Sequence, residues 1–161
     1  MSQDLSDLLH FGLNVSGSML IWAAVLAWYV WPKVKKMDKA AALVPLLLLH
    51  TTRVNGLAFL IPGVVNDLPA GFAVPGAYGD LAAAVAAGAA AVALRRGSSL
   101  GVPLAWLFSV IGLADLGLAT ANILLHGVMP AHLGAVYYLV AVVVPGLLLT
   151  HVVVVLRLRQ P

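Results

Sequence analysis

Apolar side chains run along this chain in five long blocks, from about Phe11 to Trp31, Ala40 to Val65, Pro75 to Leu94, Val102 to Leu125 and Ala135 to Leu156. Short polar, charged or Gly- and Pro-containing stretches separate them. A helix rising about 1.5 Å per residue needs about 20 apolar residues to cross a bilayer core, so each block predicts one transmembrane helix. In the third block the uninterrupted apolar part, Leu81 to Leu94, covers only about 21 Å at that rise. Starting the helix at Pro75, a residue suited to a first helical turn, restores a full crossing. Continuous apolar runs lack the alternation of barrel strands, and short connections pack neighbouring helices antiparallel. The expectation is an all-α membrane protein, a single domain over residues 1–161 folded as a five-transmembrane-helix bundle.

Composition agrees with this reading. Of the 161 residues 62% are hydrophobic and 9% charged, and the mean hydropathy is +1.02, well beyond the roughly 45–50% apolar usage of soluble domains. The absence of cysteine excludes a disulfide framework, thiolate metal sites and Cys-based catalysis.

The net charge of +3 does not point to nucleic acid, because the basic residues sit at the ends of apolar blocks. Lys33, Lys35, Lys36 and Lys39 fall between the first and second, Arg95 and Arg96 between the third and fourth, and Arg157 and Arg159 after the fifth. The positive-inside rule then puts the N-terminus outside and the C-terminus in the cytoplasm, in a bacterial cytoplasmic (inner) membrane. Asp4 and Asp7 precede the first block without any basic residue, so it lacks the basic n-region of a signal peptide and reads as a retained helix. Trp28, Tyr29, Trp31 and Trp106 fall at the expected inner interface, and Tyr78, Tyr137 and Tyr138 near the outer one. The expected partners are the lipid bilayer and either a homo-oligomer or a larger membrane complex.

Within the third block, small residues at four-residue spacing such as Ala84 and Gly88 let helix backbones approach closely, as an inner helix of the bundle or a self-association face. Pro45, Pro62 and the Pro145-Gly146 pair should bend their helices. The carbonyl freed at Pro145-Gly146 then needs a partner, which would place a polar cavity beside it.

Charge inside a span is expensive, about 2.5–3.5 kcal/mol on the insertion scale, so it marks a bundle interior. Arg53 lies fourteen residues past Lys39, about 21 Å along its helix, and Asp115 thirteen past Val102, about 20 Å. Both helices start on the same side, so an Arg53–Asp115 ion pair is expected. Asp115, Asn122 and His126 form a polar stripe with Gly112 alongside, His50 shares a face with Arg53, and Asn14, Ser16 and Ser18 make the outer half of the first helix polar.

Several chemistries fit these residues. His50, Arg53, Asp115, Asn122 and His126 could line an outward-facing cavity that binds or transports a small polar or anionic ligand, with Arg53 as anion anchor and Asp115 or His50 as titrating group. The ion pair could instead only join two helices. Haem b could be held by two imidazoles, His50 and His151, although His50 is about 16 Å from Lys39 and His151 only about 9 Å from Arg157. An outer metal site could use Asp80, His126 and His132, with Asp67 or His10. No Lys lies inside a span for a Schiff base, and phosphate-loop, HExxH and GxSxG motifs are absent. Covalent catalysis is therefore not expected.

The segment from His50 to Leu94 is similar to DoxX-like membrane proteins, which carry an Arg, a Gly-Leu-x-Phe-Leu segment and a Pro-x-x-Phe turn. The matching positions are Arg53, Gly56 to Leu60, Gly63, Pro69 and Phe72. That resemblance covers under a third of the chain. It implies a small bundle, generally of four helices, near respiratory or quinone-linked redox chemistry and often an accessory subunit.

Overall fold

A computed structural model describes residues 3–160, which are almost wholly helical. Among the described residues five helices are long and apolar enough to cross a membrane: α1 (Asp4–Val34), α2 (Lys39–Leu60), α3 (Ala70–Arg95), α4 (Gly101–Leu125) and α5 (Leu139–Arg159). Their basic connections and the basic end of α5 gather at one end of the bundle. There Arg157 Nη2 donates to the carbonyl of Met37 at 2.8 Å and ties α5 to the α1–α2 turn.

Three of the five are not uniform α-helices, and proline explains two of them. Residues Leu26–Val30 of α1 and Leu139–Val143 of α5 form π turns, and Pro32 and Pro145 follow them at once. A proline ring collides with the carbonyl four residues earlier, here Trp28 and Ala141, and a wider turn moves that carbonyl aside. The carbonyl of Val142, in the second π turn, accepts the indole N–H of Trp22 at 3.0 Å. Gly146 makes room for this ring, since a Cβ there would lie 2.5 Å from Trp22 Cε2. The partner found near Pro145-Gly146 is thus an indole of α1, and the flanking Val144 and Leu147 also line a cavity.

In α2 the α-helix ends at His50 and a 3₁₀ helix continues over Thr51–Leu60. Runs this long are uncommon because 3₁₀ hydrogen bonds are poorly aligned. Thr51 and Thr52 mark the change, their hydroxyls donating to the carbonyls of Leu48 and Leu49 at 2.7 Å each. The helix stops at Leu60, short of the expected Val65, and residues 61–69 fold back as a loop. Asn66 N donates to His132 O at 2.9 Å and Ala135 N to Val64 O at 2.8 Å, so this loop and the 3₁₀ turn Pro130–Val136 together cap the end opposite the basic residues. Gly134, at φ +51°, is needed there: a Cβ would sit 2.5 Å from Val64 O.

α3 is the centre of the bundle, packed between α2 and α4. Alanine gives it high helix propensity, and Ala77, Ala83, Ala87 and Ala90 are wholly buried, so its small-residue face is used for packing within the chain. α1 lies at the periphery against α5, leaving Leu13, Leu20, Ile21 and Trp28 exposed. Two apolar clusters fill the interior. One, around Leu43, Leu47, Ala87, Phe108 and Val154, occupies the basic half. The other, around Phe59, Phe72, Ala77, Leu133 and Val136, lies under the cap.

Candidate functional site

Between the two apolar clusters lies a polar layer built by four helices: His50 and Arg53 from α2, Asp80 from α3, Ser109 and Asp115 from α4, Thr150 and His151 from α5. Arg53 is its hub and is only 2% exposed. Its Nε donates to Asp80 Oδ1 at 2.6 Å, its Nη2 pairs with Asp115 Oδ2, and its Nη1 donates to the carbonyl of Gly112 at 3.3 Å. Arg53 and Asp115 therefore meet as their depths require, but a second carboxylate that the sequence reading placed at the outer surface joins them.

Helix boundaries account for the difference. α3 begins at Ala70, with Pro69 before it and Pro75 inside the helix, five residues earlier than the expected start. Asp80 is then ten residues into α3, about 15 Å deep, and Asp115 is ten residues before the end of α4, also about 15 Å. Arg53 is seven residues before Leu60 in a 3₁₀ helix rising about 2 Å per residue, or about 14 Å. All three charges thus share one level. Tyr78, expected at the interface, sits nearly as deep as Asp80 and points out of the bundle, 58% exposed.

Glycines give the carboxylates their room. A Cβ on Gly56 would collide with the Asp80 carboxylate and one on Gly79 with Asp115 Oδ1, while one on Gly112 would lie 2.6 Å from His151 Cε1 and 2.9 Å from Arg53 Nη1. Without side chains at these points α2, α3 and α4 approach closely enough for one guanidinium to serve two carboxylates.

Each carboxylate gives one oxygen to Arg53. The other oxygens, Asp80 Oδ2 and Asp115 Oδ1, accept no hydrogen bond from the described residues. Both residues line a cavity of about 320 Å³ between α4 and α5, backed by Phe59, Phe72 and Gly76. Its other walls include Leu113, Leu116, Ile123, Val144 and Leu147. On its other side Asp115 borders a second cavity of about 250 Å³ between α3 and α4, which Asn122 also lines. Arg53 lines neither cavity, and in both the accessible charge is a carboxylate. The guanidinium expected to anchor an anion is therefore screened from the cavities.

His126 does not join this site. It is exposed and packs beside Gly71 at the end of α4. His132 Nδ1 accepts the backbone N–H of Met129 at 2.9 Å in the cap. With Asp80 engaged by Arg53, the proposed Asp80, His126 and His132 metal site is not assembled, and no group of three His, Asp or Glu among the described residues is placed to hold a metal ion. Asp67 and His10 are exposed.

The two deep histidines do come together despite their different calculated depths. Their ring centroids are 5.0 Å apart, and His151 stacks on Phe108 at 4.6 Å. The hydroxyl of Thr150 lies 3.2 Å from His50 Nε2 and within 3.0 Å of the carbonyls of Gly146 and Leu147. His50 Nδ1 and both nitrogens of His151 are sealed in without a well-formed hydrogen bond. Rings in direct contact and wholly buried leave no slot for a porphyrin between them, so this pair does not fit bis-imidazole haem ligation.

Among the neighbours of this layer, Gly56 cradles Asp80, and Phe59 and Phe72 back the larger of the two cavities. A family model described as a domain of unknown function (DUF8737) matches residues 10–159. No curated protein and no solved structure matches the chain.

Proposed function

The chain belongs to this DUF8737 family, whose description assigns no activity, and we propose that it is a multi-pass membrane protein that binds, and in doing so carries, a small polar-headed ligand in the cavity between α4 and α5. The observation behind this reading is the 320 Å³ cavity, apolar on its walls, whose charged groups are Asp80 and Asp115. Ligand sites are mostly apolar concavities of about 300–1,000 Å³ with a few fixed polar groups, and intramembrane charges commonly mark ligand or ion paths. By the positive-inside rule the cavity half of the bundle faces outward across a bacterial cytoplasmic membrane. Arg53 acts here by holding both carboxylates in place.

Native mass spectrometry of the protein released from its membrane tests the proposal. Wild type is expected to retain a small-molecule adduct that Ala119→Phe loses, because Ala119 lines both cavities. An adduct kept equally by a folded Ala119→Phe, or none on wild type, would contradict it.

A further inference from the structure

Charge is not balanced around Arg53. One guanidinium faces two carboxylates, and no further charged residue lines the cavity that both carboxylates border. Neither His50 nor His151 lines it either. A net negative charge kept away from water is strongly unfavourable, so the cluster draws in one positive charge from the accessible side. Asp80 and Asp115, the charged residues on the cavity's lining, are the acceptors available for it.

The rest of the cavity lining fixes the rest of the ligand. Phe59, Phe72, Leu113, Ile123, Val144 and Leu147 leave no polar wall to solvate a bare metal ion or a polyol. The one wall hydroxyl, Thr120, already donates to Leu116 O at 2.9 Å. We propose that the cavity selects lipophilic amines: a compact apolar body between α4 and α5 with a protonated nitrogen donating to Asp80 and Asp115. The inference rests on the proposed binding function and names its ligand class. An ammonium supplies both the missing charge and the hydrogen-bond donors, which an alcohol does only in part and a carboxylate not at all.

The test uses one hydrocarbon cage with three heads. 1-Adamantylamine, 1-adamantanol and 1-adamantanecarboxylate are titrated calorimetrically into the full chain in uncharged maltoside micelles, with Ala119→Phe measuring partition into the micelle. Binding to wild type is expected in the order amine, alcohol, carboxylate. Asp80→Asn or Asp115→Asn should weaken the amine about tenfold or more, the size of one charge-assisted hydrogen bond, and leave the alcohol nearly unchanged; circular dichroism confirms that each variant is folded. Equal binding of all three heads, or preference for the carboxylate, overturns the amine assignment and leaves the cavity as a binding site. No binding of any head, with the mass-spectrometric adduct still present on wild type, also overturns it. Loss of both signals removes the binding function itself.

Discussion

Neutralising the charges around Arg53 one at a time should give a strongly non-additive pattern of stability. With one buried guanidinium and two carboxylates, Asp80→Asn leaves the Arg53–Asp115 pair intact, and Asp115→Asn leaves Arg53–Asp80. In either case the amide oxygen still accepts from the guanidinium and the cluster becomes neutral, so each single change should cost only about 0–1 kcal/mol. Arg53→Met leaves two partly buried carboxylates close together without a counter-charge. Breaking a buried pair in this way costs about 3–5 kcal/mol. The double change Asp80→Asn with Asp115→Asn strands the guanidinium instead, with a cost of the same size, so it should exceed the sum of its singles by about 1 kcal/mol or more. Reversible unfolding in mixed micelles, followed by tryptophan fluorescence and far-ultraviolet circular dichroism, measures all four variants. Additive single effects, or an Arg53→Met variant within about 1 kcal/mol of wild type, would refute the reasoning.

The remaining predictions concern packing around the same layer. Gly112→Ala should destabilise by about 1–3 kcal/mol, because its Cβ would press on His151 and Arg53; Gly17→Ala, with nothing within 4 Å of its Cβ, should be neutral or slightly stabilising in the same unfolding assay. His151→Phe should be neutral or stabilising, since it removes two buried nitrogens that lack a well-formed hydrogen bond and keeps a ring on Phe108; a loss above about 1 kcal/mol would show that the imidazole has a partner in the membrane. Trp22→Phe should cost about 1–2 kcal/mol by leaving the Val142 carbonyl unpaired. Gly146→Val should displace the same indole, seen as a shifted emission in a variant whose sole tryptophan is Trp22.

Much of the fold was legible in the sequence because span length and apolar run length are the same quantity. The Arg53–Asp115 pair was legible for a related reason: two charges at one depth on helices entering from one side have few other partners. Asp80 escaped because Pro75 was read as a helix start. Proline is tolerated inside α3, whose helix starts at Ala70, and a shift of five residues moves Asp80 from the surface to the centre of the bundle. The His50–His151 contact escaped because depth was counted from Lys39 and Arg157 as if both marked the membrane edge; both segments are regular α-helix, but Arg157 is itself buried, only 6% exposed, so His151 lies deeper than the count from it gives. The room for both carboxylates at Arg53 depends on glycines in neighbouring helices, Gly56 and Gly79 above all. No pattern along a single helix carries that information.

The central claim is that one guanidinium bridges carboxylates from two other helices, and distance measurement by solid-state nuclear magnetic resonance tests it most directly. With ¹⁵N in the Arg53 side chain and ¹³Cγ in the aspartates, in lipid bilayers, Arg53 should dephase with both Asp80 and Asp115 at hydrogen-bonded range. Coupling to one carboxylate alone, or to neither, would contradict the account.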